Sequence, residues 1–139
     1  MGYGELLHKS EQRTISPAIC VYIDANGLHE PNNERGHEAG DLMLRFVAES
    51  LMEQFPKGSL CRVGGDEFVV FPAPAEGQTC EDRIHSASAS ITAQGYSISC
   101  GIAAHESVVG LRELVREADE KMLESKLAYY AEHDRRVRK

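Results

Sequence analysis

No run of apolar residues in this chain is long enough to cross a bilayer, so the sequence predicts no membrane contact from this segment. No charged, apolar and small-residue leader opens it, and nothing reads as a secretory signal. Basic residues are in deficit: 15 Lys and Arg stand against 22 Asp and Glu, a formal charge of -7. That balance argues against broad nucleic-acid binding, which needs a positive field against backbone phosphates. It leaves room for a phosphorylated small ligand whose charge a bound cation offsets. The cysteines Cys20, Cys61, Cys80 and Cys100 lack the short paired spacing of a zinc site. Cys20, Cys61 and Cys100 fall in apolar segments and read as small core residues in a reducing cytoplasm. No internal repeat, low-complexity tract or domain linker is visible, so residues 1–139 read as a single domain with its own core.

What is present alternates. Gly2 to Arg13 reads as the end of a helix that begins upstream. Pro17 opens the run Ala18 to Ile23, whose β-branched and aromatic content predicts a buried strand ending at Asp24. Asn26-Gly27 and Pro31-Asn32-Asn33 then break the pattern. Glu38 to Phe55 carries a helical stripe of Met43, Phe46, Val47, Ser50, Leu51 and Gln54, stopped by Pro56 and Gly58. Two short apolar runs follow, Leu60 to Val63 and Glu67 to Phe71, with a loop from Pro72 to Gly77. Thr79 to Gln94 predicts a second helix, Tyr96 to Ala103 a strand, and Ser107 caps a last helix facing Val108, Leu111, Leu114, Val115, Ala118 and Met122 inward. This order implies an α+β fold: a central, mostly antiparallel sheet wrapped by helices.

Chemistry concentrates in Arg62-Val63-Gly64-Gly65-Asp66-Glu67-Phe68. Gly-Gly between two apolar runs predicts a tight two-residue hairpin turn with positive φ at the glycines. Adjacent acids at its tip repel one another, and a metal ion would relieve that repulsion. Asp24 lies at the end of the first strand, so neighbouring strands would bring Asp24, Asp66 and Glu67 to one sheet end with no compensating buried lysine evident in sequence. Hard oxygen donors of this kind favour Mg2+ or Mn2+, with the Ala25 carbonyl as a further ligand. Gly36 to Asp41 opens the long helix, whose free amides suit a phosphate or a base edge. Asp41 can accept two donors from a guanine edge and Asn32 offers both a donor and an acceptor, although Asp41 also suits an ordinary first helical turn. Lys126, placed near the end of the last helix, is favourable there by charge alone or serves as a phosphate contact.

Asp24, Asn32, Gly36-His37 with Gly40-Asp41, the Gly-Gly-Asp-Glu-Phe hairpin, Ser99-Cys100-Gly101-Ile102, Ala118-Asp119 and Lys126 occur in an order that resembles the GGDEF family, the diguanylate cyclase domains of bacteria. The resemblance covers nearly everything from Ile19 onward. It implies a fold like the nucleotidyl cyclase and polymerase palm, and condensation of two GTP into cyclic di-GMP with release of two pyrophosphates. By motif position it implies Asp24, Ala25, Asp66 and Glu67 as metal ligands, with Asp66 and Glu67 at the reacting centre. Asn32 and Asp41 resemble the guanine-reading pair, and Lys126 a phosphate contact. Two facing sites imply a transient homodimer, and the family's architecture implies a sensory or regulatory domain in a larger protein of which this is an N-terminally shortened part. The alternative that the residues leave open is a weak or inactive GTP-binding regulatory domain. The chain departs from the family at His29 and Asn33, where Lys and Asp are common, and at Tyr130, where Arg is common. Phe55-Pro56-Lys57-Gly58 replaces the usual Arg-x-x-Asp product-inhibition motif.

Overall fold

In a computed structural model, described for residues 2–26, 37–73 and 80–137, a four-stranded antiparallel sheet is sandwiched between helices. The elements run α1 (Tyr3–Ser10), β1 (Thr14–Ile15), β2 (Ala18–Ala25), α2 (His37–Gln54), β3 (Ser59–Arg62), β4 (Glu67–Phe71), α3 (Cys80–Ala93), β5 (Ile98–His105), β6 (Val108–Val109) and α4 (Arg112–Val137). The sheet order is β3-β4-β2-β5, which puts β2 at the centre as its unbroken apolar run requires.

Strand alternation divides the core. Val21, Ile23 and Ala25 of β2 pack on one face with Met43, Val47 and Leu51 of α2 and Ile84 and Ile91 of α3. Cys20 and Tyr22 point to the other face and meet Leu7 of α1 and Leu114, Ala118 and Met122 of α4. Asp24 follows Tyr22 in this alternation, so an acid extends the face that α4 covers.

Gly101 allows α4 to lie that close. It stands opposite Tyr22 in the β2–β5 register. A Cβ there would collide with the Ala118 carbonyl oxygen and the Met122 amide nitrogen of α4, both backbone atoms that cannot swing aside. Gly101→Ala is therefore expected to push α4 off the sheet and cost about 2–3 kcal/mol, read as a lower denaturant midpoint with an unchanged slope.

Two features differ from the sequence expectation. The strands β1 and β6 pair with each other (Thr14↔Val109, Ile15↔Val108) in a small separate sheet. Consequently Ser107 does not cap the last helix: Val108 and Val109 are strand, Gly110 turns the chain at φ 76, and α4 starts at Arg112. The β-branched pair preferred a ladder to a helical first turn. At the hairpin, Val63 donates to the Glu67 carbonyl at 2.9 Å, leaving residues 64–66 as the turn. Among the described residues only Gly95 and Gly110 have positive φ, so neither Gly64 nor Gly65 adopts the conformation expected of a two-residue turn. The extra residue relieves that demand. Gly95, by contrast, ends α3 at φ 84 as expected.

Candidate active site

The β2–β4 register sets Asp24 directly opposite Glu67. Beyond it, the Ala25 amide donates to the Asp66 carbonyl at 2.9 Å, holding the turn against the end of β2. Sequence-distant Asp24, Ala25, Asp66 and Glu67 thus come together at one end of the sheet. Arg62 braces the same turn from the β3 side, donating to the Gly64 carbonyl at 3.2 Å and the Gly65 carbonyl at 2.5 Å.

Asp24 is only 2% exposed. Its Oδ2 accepts a 2.7 Å hydrogen bond from Lys126 Nζ, while Oδ1 is buried with no partner among the described residues. Burial pushes the carboxyl up to about 6 against the opposing pull of Lys126, and the charges of Asp66 and Glu67 push the same way. This corrects two sequence expectations. A compensating lysine does exist: it comes from α4. And Lys126 lies 11 residues before the helix end at Val137, so no favourable helix terminus explains it.

The Asp24 pair has a testable cost. Lys126→Met would leave both carboxylate oxygens without a donor and raise the Asp24 carboxyl further. A group whose folded pKa is raised lends stability below its unfolded value and loses it as pH climbs through the folded value. The variant should therefore lose about 1–2 kcal/mol more than the parent between pH 5 and pH 8, measured by denaturant unfolding at both.

Glu67 is turned toward α4. Tyr22 donates its phenol to Glu67 Oε2 at 2.8 Å. Burial and, next, that hydrogen bond push the phenol well above its ordinary value, so it stays protonated and acts as a donor. Asp119 of α4 shares this field: burial and then the Glu67 charge raise its carboxyl. Tyr22 and Asp119 were not singled out as site residues from sequence. The alternation that places Tyr22 two residues ahead of Asp24 was the available signal.

Asp41, on the first turns of α2, is exposed and lines a cleft of about 400 Å³ with Leu44, Arg45, Ala48, Arg62 and Phe68. Leu44 and Phe68 are almost wholly buried and give this cleft an apolar floor, on which a flat ring can rest, with an acceptor and two guanidinium groups at its rim. Asn32, His29 and Asn33 lie outside the described residues, so only the Asp41 half of the expected base-reading pair is placed. Tyr130 lies one helical turn beyond Lys126 on α4 and is partly exposed.

The donor set tests the expected metal. All candidate ligands are oxygens, and a buried carboxylate oxygen without a partner suits a hard divalent cation. Among the described residues no three His, Cys, Asp or Glu side chains are already gathered as a metal cage. The acids are electrostatically coupled without being closed into a shell, which suits a cation that arrives with phosphate oxygens of its own. The cysteines contribute nothing here: all four are free, and burial pushes Cys80 up to about 11 and Cys100 up to about 12. No helix among the described residues is long and apolar enough to cross a membrane.

Residues 4–130 match the family model described as diguanylate cyclase, GGDEF domain. The structure is similar to the GGDEF domain of YfiN from Pseudomonas aeruginosa, with a TM-score of 0.72 and 28% identity over 89% of this chain and 78% of that one. A protein from the region 5′ of hutH in Streptomyces griseus, itself uncharacterized, is 28% identical over 130 residues, 87% of this chain and 53% of its own. A diguanylate cyclase of Vibrio cholerae is 33% identical over 60 residues, 42% of this chain and 19% of that protein. The chain thus spans about half or less of the length of these two curated relatives.

Proposed function

This chain belongs to the GGDEF family of diguanylate cyclase domains, and on that premise we propose that it joins two GTP molecules into cyclic di-GMP and releases two pyrophosphates. The observation that carries the reading is Asp24: an acid 2% exposed, with one oxygen on Lys126 and the other without a partner, opposite Glu67 and beside Asp66. Such an arrangement costs folding energy and is explained by a cationic ligand.

Asp24, the Ala25 carbonyl, Asp66 and Glu67 would hold Mg2+ or Mn2+, which when bound neutralises triphosphate charge and lowers the proton affinity of an attacking hydroxyl. Asp41 accepts the N1–H and exocyclic amine of guanine, orienting the nucleotide in the cleft it lines with Phe68. Lys126 turns its Nζ from Asp24 to the triphosphate. The 3′-oxygen of each GTP bonds to the α-phosphorus of the other, the bond to the β-phosphate breaks, and pyrophosphate leaves with the electron pair. Asp66, half-exposed at the turn, takes the hydroxyl proton directly or through water. One copy holds one GTP, so two copies face each other to complete the ring, and aligning the two halves supplies much of the rate.

The second reading, GTP binding without turnover, is favoured by Tyr130, which lies where the family often supplies a second phosphate-attracting cation. Incubation with GTP and magnesium at concentrations that permit dimerisation, with products identified by mass, separates the two. Cyclic di-GMP supports the cyclase; saturable GTP binding without product supports the regulatory domain.

A further inference from the structure

The hydrogen bond from Tyr22 to Glu67 has no part in the chemistry just described, and the packing does not require it. Tyr22 is 6% exposed and its ring sits among Cys20, Val69, Ala118 and Met122, contacts that a phenylalanine would make equally well. Only the hydroxyl distinguishes it, and that hydroxyl reaches diagonally across the β2–β4 ladder. The residue opposite Tyr22 is Val69, whereas Glu67 stands opposite Asp24. Glu67 therefore leans back along its strand to place Oε2 2.8 Å from the phenol oxygen. Its other oxygen lies toward the turn: a Cβ built on Gly64 would stand 3.6 Å from Glu67 Oε1. One carboxylate thus spans from the buried ring to the glycine turn, its two oxygens committed to different sides.

We propose that Tyr22 is a positioning residue that fixes Glu67 as a ligand through one oxygen only. The phenol holds Oε2, so Oε1 alone is presented at the turn beside Asp66, and the carboxylate cannot rotate to chelate a cation with both oxygens or fold out into solvent. Mg2+ demands near-ideal octahedral geometry and tolerates a four-membered carboxylate chelate poorly, whereas larger ions such as Ca2+ accept it readily. Holding Glu67 to a single oxygen favours the small cation and rejects the large one. This inference rests on the metal-ligand role proposed above for Glu67.

The test is Tyr22→Phe, which keeps the buried ring and removes only the donor. Manganese binding is followed by the paramagnetic signal of the free ion, in the presence of a GTP analogue with a methylene between the α- and β-phosphorus atoms, so that no turnover enters the readout. Calcium is then titrated as a competitor. The expected result is manganese affinity about tenfold to a hundredfold weaker, the size of one lost hydrogen bond to a charged group, with calcium competing relatively better than in the parent. In a Glu67→Ala background the Tyr22 substitution should have no further effect on either ion, and circular dichroism with a melting curve establishes that each variant is folded. Parent-like affinity and ion preference in folded Tyr22→Phe would overturn the inference and leave the cyclase reading intact. If the parent itself binds no manganese with the analogue, the proposed metal site falls, and this inference falls with it.

Discussion

Replacing Asp24 with asparagine is expected to make the metal-free protein more stable while removing its magnesium-dependent chemistry. Burial raises the Asp24 carboxyl from 3.8 to about 6 even though Lys126 donates to it. Its folded value thus exceeds its unfolded one, so the stability it lends is complete below pH 3.8 and is lost as pH rises through about 6. At pH 7 the folded protein carries a charge that its surroundings disfavour by on the order of 2–3 kcal/mol. Asparagine is neutral throughout, keeps the shape, and still offers Lys126 a carbonyl oxygen. Chemical denaturation without divalent ions should show Asp24→Asn gaining about 1–3 kcal/mol at pH 7 and almost nothing at pH 4. With magnesium and GTP the order reverses: the parent is stabilised by ligand and forms product, and the variant gains little and loses at least about a hundredfold in rate. A variant that is less stable at pH 7 without metal, or equally active with it, would mean that Asp24 is an ordinary ion-pair partner.

Removing Asp41 is expected to abolish base discrimination and leave the fold alone. Its side chain is exposed on α2 and lines the cleft floored by Leu44 and Phe68. It lies outside the core formed by the described residues, so Asp41→Ala should melt within about 0.5 kcal/mol of the parent. The lost acceptor for two guanine donors should lower kcat/KM for GTP by about 10²-fold or more, and the GTP preference over ATP should collapse with it, because adenine never satisfied that carboxylate. Unequal retention matters more than the absolute loss. A variant that binds GTP and ATP in the parental ratio would remove Asp41 from base recognition.

Much of this was legible before any coordinates. The unbroken Ala18–Ile23 run required a central strand, and the stripe from Met43 to Leu51 required a helix over one face of it; both are there. Asp24 at a strand end and Asp66-Glu67 at a turn were legible as acids that would converge if the two strands were neighbours, and the β2–β4 pairing makes them so. What remained hidden depended on distances between segments remote in sequence. Lys126 is 102 residues from Asp24, and no local pattern marks it as that acid's partner. Its approach depends on α4 lying against Gly101, where the missing Cβ is a contact rather than a conformational matter. The turn glycines misled for the opposite reason. Gly-Gly is a strong signal for a two-residue turn, but the ladder stops at Val63 and Glu67 and spreads the reversal over a third residue. Tyr22 was read as apolar strand content, which its ring is; its hydroxyl acquired meaning only when the register placed Glu67 within reach.

In the proposed cyclase, separated acids gather on divalent cations beside a guanine nucleotide, and Lys126 stands in for the cation until it arrives. Crystals grown with manganese and the non-reacting GTP analogue, with the metal located by its anomalous scattering, test it most directly. The expected result is manganese within coordinating distance of Asp24 and Asp66, guanine against Asp41, and Lys126 Nζ moved from Asp24 to phosphate. Manganese and triphosphate bound elsewhere, with Asp24 still paired to Lys126, would contradict it.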